Sequence, residues 1–396
     1  MALTKAFIPN GGYWASPFVK WQGSLSNENS VTLAASTARR WLESREISPE
    51  EFDSIALGYT VPQKHSFYGA PWVAGLIGAP GISGPMYAQA CATSPRLLAG
   101  SAHEIEAGFS ECIFGLAFDR CSNGPHVTYP SPAAPGGTAD AENWVMDNFS
   151  HDPWAKNPML QTAENVAKEH GITREEMDAC TLVRNEQYEK ALADDRAFQK
   201  RWMFPVEIGR GKRAKLVEAD EGIFPTTAEG LAKLRPVMPE GSVTFGSQTH
   251  PADGNAGVIV TTRDRAEKLS KDPKAITQIL SFGQCRVGKG MMPTAPVPAA
   301  QQALDAAGVK LEDVTAIKSH NPFAVNDVYF SKQTGVALEK INNYGSPLVF
   351  GHPQGPTGLR CVVELIEELT EQGGGLGLFT GCAAGDSAMA MVLKVG

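Results

Sequence analysis

The sequence predicts an α/β fold built twice over, with a segment of different texture inserted between the two copies. Three observations predict it. Helix-like and strand-like patterns alternate at both ends of the chain, and the two ends repeat one another at a near-constant spacing. The stretch from about 120 to 245 carries its own Pro/Gly/Ser-rich and basic tracts. Alternating strands and helices imply mainly parallel sheets covered by helices, with functional groups at strand ends and helix starts.

The repeat is read residue by residue. "LAASTARRWLESREISPEEFDSIALGY" is a helix pattern, a turn, an acidic pair and an apolar strand, and so is "VPAAQQALDAAGVKLEDVTAIKSHN". Ile47 matches Val309, Glu50 matches Glu312, Phe52 matches Val314 and Ile55 matches Ile317, each by a step of 262 (309 minus 47). "CATSPRLLAGSAHEIEAGFSECIFGLAF" and "GPTGLRCVVELIEELTEQGGGLGLFTG" then share the order turn, helix, strand at nearly that step. The organisation read from this is a first half over 1–119, with one more core strand returning near 255–265, an insert over 120–248, and a second half over 249–396. Within the insert, "MLQTAENVAKEHGITREEMDACTLVRNEQYEKALADD" has helical patterning and "RWMFPVEIGRGKRAKL" is basic.

A chain of 396 residues, 42% hydrophobic and 20% charged, can bury a large core. Its 35 basic and 43 acidic residues leave a formal charge of -8, which argues against a nucleic-acid partner but leaves room for a local basic patch. Seven cysteines, at 91, 112, 121, 180, 285, 361 and 382, have neither a C-x-x-C pair nor a regular spacing, so neither a disulfide framework nor a bound metal is expected. The N-terminal stretch lacks a signal-peptide core, and "APWVAGLIGAPGISGP" is too broken by Gly and Pro to span a bilayer. A cytoplasmic protein without membrane attachment is expected.

The candidate chemistry begins at Cys91, which lies ahead of a helix start. Ser94 reads as the N-cap and Pro95 as the first helical residue. A thiol at that place feels the positive end of the helix dipole, which favours a nucleophilic thiolate. The alternative is a small buried hydrophobe at a helix–sheet junction. At the equivalent place in the second half, "NNYGSPLVFGHPQGPTG" holds His352 between Gly351 and Pro353 on a stiff loop. Cys382 sits in the Gly/Ala-rich turn "LFTGCAAGDSAMA", and His320 ends the strand matched in the repeat, followed by Asn321. Both His320 and Asn321 are candidate donors to a substrate oxygen. Two cysteines and two histidines also admit a zinc reading, which no paired ligand spacing supports.

The ordered series "SPFVKWQGSL", "SNGPH", "TAENVAKEHGITREEMD", "FPTTAEGLAKLRP", "DGNAG", "PVPAAQQALDAAG", "NNYGSPLVFGHPQGPTG" and "GCAAGDSAMA" resembles the thiolase family over nearly the whole chain. The resemblance implies a duplicated five-layer α-β-α-β-α core with an inserted loop domain. It implies Cys91 as acyl-accepting nucleophile, His352 as the histidine that activates it and Cys382 as the acid/base cysteine. His320 stands where many thiolases have asparagine in N-E-A-F; here the motif reads H-N-P-F, which is closer to sterol-carrier-type and archaeal-type thiolases. The enolate oxygen would be held by His320 and His352, and the tetrahedral oxygen by backbone N–H groups of Cys91 and Ala384. CoA would be a co-substrate with no permanently bound cofactor, contacted by Arg210, Lys212, Arg213 and Lys215 of "GRGKRAKL" and by Thr249 and His250 of "GSQTHPADGNAG". The partners implied are CoA, a 3-oxoacyl-CoA, a second copy of the chain and, as in some relatives, a small zinc-ribbon protein.

"SHDPWAKNPM" and "YTVPQKHSFYGAPW" bring bulky groups suited to a larger acyl pocket. They point to a bulky, branched or aromatic 3-oxoacyl-CoA, such as benzoylsuccinyl-CoA, and to degradation of aromatic or fatty acids. Two other functions stay open: another condensing enzyme of the same superfamily, against which Cys382 argues, and a non-catalytic acyl-CoA- or lipid-binding protein on the same scaffold.

Overall fold

The computed structural model describes residues 2–209 and 211–396. The repeat is present in three dimensions. The helix Ser30–Ser44, a short 3-10 turn at Pro49–Glu51 and the strand Ser54–Gly58 recur as the helix Pro296–Ala307, the turn Leu311–Asp313 and the strand Ala316–His320. Turn and strand start and end 262 residues apart (311 minus 49, 316 minus 54), the step that separates Ile47 from Val309. The helix Thr93–Ala107 with strand Cys112–Arg120 recurs as helix Gln354–Glu371 with strand Gly375–Ala383.

The strands form one eleven-stranded sheet joined in the middle by Phe7–Ile8, which pairs with Ala252–Thr261 of one half and Thr277–Arg286 of the other. The expectation of mainly parallel sheets is corrected here. Among the described residues, parallel strand pairs are Ala316–His320 with Gly375–Ala383 and Ser54–Gly58 with Cys112–Arg120 and Met86–Tyr87, isolated bridges aside. The remaining neighbours run antiparallel. The reason is connection length: only three residues separate Gly375–Ala383 from Ser387–Val395, which permits a hairpin and no crossover.

Side chains alternate across each strand, so each half of the sheet is covered on both faces. Ile55 and Leu57 face the helices Ser30–Ser44 and Gly69–Ile77, while Ala56 faces the centre of the molecule. In the other half Leu378, Ala390 and Val392 face the Pro296–Ala307 helix, while Phe379, Met391 and Leu393 point to the centre. Between the two sheet halves lie Leu97, Leu98, Ala102 and Ile105 of the first central helix and Leu359, Val362, Val363, Leu365, Ile366 and Leu369 of the second. The layers are therefore helix, sheet, helix pair, sheet, helix. The central helices approach closely because Gly358 has no side chain; a Cβ there would come within 2.5 Å of Pro95 Cδ.

The segment after Arg120 forms two small hairpins, His126–Tyr129 with Asp140–Asn143 and Val206–Ile208 with Lys215–Val217, and the helices Met159–Glu169 and Arg174–Lys200. Thr173 and Glu176 close a reciprocal capping box at the start of the second helix. These helices pack onto the second half: Ala163, Val166, Met177 and Cys180 share a core with Met292, Phe323, Val325 and Cys382. Among the described residues no helix is long and apolar enough to cross a membrane.

Candidate active site

Cys91 precedes the central helix Thr93–Ala107, whose cap is Ala92. The expected cap at Ser94 is corrected: the helix begins earlier, and the Ser94 hydroxyl instead accepts from the Leu359 amide of the partner central helix at 2.8 Å. Thr93 takes the local role, donating to the Ala90 carbonyl at 2.7 Å and accepting from the Gln89 amide at 2.8 Å. Ala90 is held at φ +44°, in the left-handed region that costs a non-glycine residue of order 1 kcal/mol. This tight turn sets Cys91 on the floor of a cavity of about 720 Å³.

His352 reaches Cys91 from the second half, its Nε2 3.1 Å from Sγ. Its Nδ1 lies 2.8 Å from Thr357 Oγ1, and that hydroxyl donates to the Pro353 carbonyl at 2.5 Å. With its proton so committed, Thr357 can only accept from the ring. His352 therefore carries hydrogen on Nδ1 and a free lone pair on Nε2, facing the thiol. The loop is held from below: the His352 amide donates to the His250 carbonyl at 2.9 Å, and Gly351 sits at φ +88° with no room for a Cβ beside the His250 ring. Asp119, buried under the loop, accepts from the amides of Thr60, Val61 and Gly355 and from the Thr60 hydroxyl at 2.6–2.9 Å.

Burial dominates the electrostatics. It pushes the Cys91 thiol up to about 11, opposed by the backbone N–H groups of Ala384 and Cys91 that face the sulphur. It also holds His352 well below the usual imidazole range, aided by the neighbouring His320, and brings His320 down to about 3. The expectation of a resting thiolate is corrected: a neutral thiol faces a neutral imidazole, because desolvation outweighs the helix end. Cys382 is fully buried near the end of the strand Gly375–Ala383, before the turn rather than inside it. Its thiol is raised well above normal by burial and then by charge on Cys91, while the Asn326 amide donates to its sulphur at 3.3 Å.

His320 stacks obliquely on His352, ring centroids 4.2 Å apart, and neither of its ring nitrogens has a partner although only 1% of the residue is exposed. Asn321 does not join it. Its side-chain amide donates to Asp327 and its oxygen receives the Leu348 amide, so the expected oxyanion donor is spent on folding the turn.

The remaining expected contacts divide. Thr249 lines the cavity, but its hydroxyl donates to the Pro347 carbonyl at 2.6 Å. The His250 side chain is absent from the cavity wall and lies against Gly222 and Gly351, so its place is beneath the loop. Lys212 and Arg213 are exposed at the tip of the Val206–Val217 hairpin, which does not reach the cavity; Arg210 lies outside the described residues. The cations at the mouth are instead Arg286, which lines the wall, and Lys289, 4.1 Å from the Trp154 ring centroid. "SHDPWAKNPM" lines the cavity through His151, Trp154 and Met159, joined by Trp144 and Phe149. "YTVPQKHSFYGAPW" contributes only Thr60 and Val61, while its Phe67 and Tyr68 are 82% and 68% exposed elsewhere.

Sequence reasoning missed Thr357, Asn326, Asp119 and Arg286. Thr357 stood in the quoted "GHPQGPTG", five residues after the histidine; the other three carried no local signal.

The chain matches the description "Thiolase, N-terminal domain" over residues 14–264 and "Thiolase, C-terminal domain" over residues 273–395. It is 28% identical over 382 residues to an acetyl-CoA acetyltransferase of Allochromatium vinosum, covering 94% of this chain and 95% of that protein. It is 27% identical over 387 residues to the human mitochondrial 3-ketoacyl-CoA thiolase, covering 96% of each. Among solved structures, the CoA complex of human mitochondrial 3-ketoacyl-CoA thiolase superimposes with a TM-score of 0.90 at 25% identity, over 100% of this chain and 99% of that one. The Bacillus anthracis acetyl-CoA acetyltransferase gives 0.91 at 25% identity over 100% of both. A cysteine and a histidine brought together from two repeat-related halves, on this fold and with these matches along the chain, place the protein in the thiolase family of acyltransferases.

Proposed function

We propose that the protein cleaves, or in reverse forms, a bulky or aromatic 3-oxoacyl-CoA, with Cys91 carrying the acyl group. The observation that carries this is the 3.1 Å contact between Cys91 Sγ and the unprotonated Nε2 of His352 at the floor of a large apolar-walled cavity. Cys91 gives its proton to His352 as its sulphur bonds to the 3-oxo carbon. The bond between that carbon and the α-carbon then breaks, leaving the acyl group on sulphur and an enolate that Cys382 protonates. A buried neutral thiol suits that donation. Cys382 next takes the proton of incoming CoA, whose sulphur displaces the acyl group from Cys91. The Ala384 and Cys91 amides stabilise the tetrahedral oxygen, and His320 with His352 the enolate oxygen, each donor supplying a few kcal/mol.

Trp144, Phe149, Trp154, Met159 and Phe323 support a bulky acyl group, and Arg286 offers a guanidinium to a substrate carboxylate such as that of benzoylsuccinyl-CoA. His320 in H-N-P-F supports the sterol-carrier-type or archaeal-type branch. CoA is the co-substrate and no bound cofactor is needed for these steps. Seven free cysteines suit a reducing cytoplasm. A homodimer is supported by the outer strand Met86–Tyr87, which ends the sheet with Met86 exposed and its sulphur against Gly69, the residue that follows the exposed Phe67 and Tyr68.

The test is incubation with aliphatic and aromatic 3-oxoacyl-CoAs plus CoA, following both acyl-CoA products and the mass of the Cys91 peptide. A transient Cys91 adduct with two products is expected, fastest for aryl substrates. Products only after adding the small zinc-ribbon partner would make that partner part of the enzyme. A stoichiometric adduct without turnover would favour acyl binding over catalysis. His320→Ala should slow turnover more than acylation; equal losses would remove it from the enolate step.

A further inference from the structure

We infer that Cys91, His320 and His352 together form a binding site for a thiophilic divalent cation, with zinc as the probe, which holds the nucleophilic sulphur in a closed, inactive form. One donor atom from each residue lies within 4.8 Å of the other two. No pair of these residues is close in sequence, which is why ligand spacing along the chain gave no hint of it. The site exists because the end of the strand Ala316–His320 presents a histidine beside the pair already made by Cys91 and His352.

The donor set has the character such an ion selects. One sulphur and two imidazole nitrogens suit zinc and its softer neighbours rather than magnesium or calcium. Tetrahedral zinc, with Zn–S about 2.3 Å and Zn–N about 2.0–2.1 Å, places its donors about 3.5 Å apart. Cys91 Sγ and His352 Nε2, at 3.1 Å, are already near that spacing. His352 is oriented as metal-bound histidines are, its far nitrogen hydrogen-bonded to Thr357 and its near one free. His320 is the independent indication of a ligand. It is an almost fully buried imidazole with both nitrogens unpartnered, beside the other two donors and held by no hydrogen bond of its own ring. Neither ring nitrogen is tied down, so turning one toward the ion breaks no hydrogen bond. Cys91 and His352 line the cavity, through which the ion enters and from which water or a substrate oxygen completes the shell.

Binding is an exchange of a proton for a metal ion. The Cys91 S–H bond breaks, the proton leaves to buffer, and the sulphur electron pair passes to the ion; both imidazoles bind as neutral ligands and nothing is oxidised. While the ion stays, Cys91 can attack neither an acyl group nor an alkylating agent. The inference uses only the ligand geometry, so it stands or falls separately from the acyl-transfer reading.

The metal-free full-length protein is titrated with zinc chloride by calorimetry in two buffers of different ionisation enthalpy, and Cys91 alkylation by iodoacetamide is timed with and without zinc. One zinc per chain, about one proton released per zinc and at least tenfold slower alkylation are expected. His320→Asn should weaken zinc binding at least tenfold and remove the protection, and Cys91→Ala should abolish the proton release. No protection of Cys91 in the unaltered protein overturns the inference. So does zinc binding that survives both substitutions, which would place the ion elsewhere, or loss in Cys91→Ala with none in His320→Asn, which would break the three-residue set. Circular dichroism of each variant establishes that it is folded, and the protection measurement needs no variant.

Discussion

At Cys91 two effects oppose each other: water excluded from the cavity floor penalises a thiolate, while two backbone N–H groups and the start of a helix favour it. Burial wins at rest, so in the proposed reaction the nucleophile forms by proton transfer to His352 during attack. Thr357 then matters through the tautomer it enforces. Thr357→Val should lower kcat/KM by roughly 10–100-fold, the usual scale for losing the orienting partner of a working imidazole, and Thr357→Ser should restore it. His320 makes a different prediction. Folded, it stays neutral down to a pKa of about 3; unfolded, it takes a proton below about pH 6.5. The unfolded chain therefore binds more protons as pH falls, and stability held above pH 6.5 drains away toward pH 3. Replacing it by asparagine should spare about 2 kcal/mol of the loss between pH 7 and pH 5. Urea unfolding at the two pH values measures this, and an unchanged loss would show that the ring titrates normally.

The turn from His320 to the helix Ala324–Thr334 is set by Asp327, which receives Ser319 Oγ at 2.6 Å, the Asn321 amide and Arg184 Nε at 2.7 Å from the inserted helix. A single buried carboxylate thus ties the insert to the strand end that carries His320. Asp327→Ala leaves Arg184 charged, buried and unpaired, which costs about 3–5 kcal/mol. A fall of that size in denaturant stability, with Cys91 alkylation less affected than turnover, is the expected result. Arg360 plays the matching part in the central helix, paired with Asp220 at 2.7 and 2.8 Å and lying 3.6 Å from the Phe350 ring centroid. These two networks hold the insert against the core without adding to the chemistry.

Across the whole molecule the cavity is shared between the insert and both halves. Trp144, Phe149, Trp154 and Met159 of the insert line it beside Phe323 and Arg286 of the second half, so the proposed substrate contacts come from both. Trp154→Ala should raise KM for an aryl 3-oxoacyl-CoA by about tenfold, the scale of losing one apolar contact surface worth about 1–2 kcal/mol, and leave acetoacetyl-CoA nearly unaffected. Equal changes for both substrates would detach Trp154 from the acyl group. Light scattering should give twice the 42.3 kDa chain mass, and a charge at Met86 should shift it toward one.

The family resemblance implied the layer pattern; the residues by themselves determined the duplication and singled out Cys91, His352, Cys382 and His320 as the groups to watch. Those properties are local: hydrophobic period, turn residues, and small residues around a reactive side chain recur at matched positions in both halves. Only the tertiary structure decided strand direction, the protonation of the thiol and imidazole, the commitment of Asn321 to Asp327, and the exposure of Lys212 and Arg213 away from the cavity. Each depends on what stands opposite a residue in space. Desolvation and hydrogen-bond partners come from segments hundreds of positions away, as Cys91 and His352 do, and no pattern along the chain encodes them.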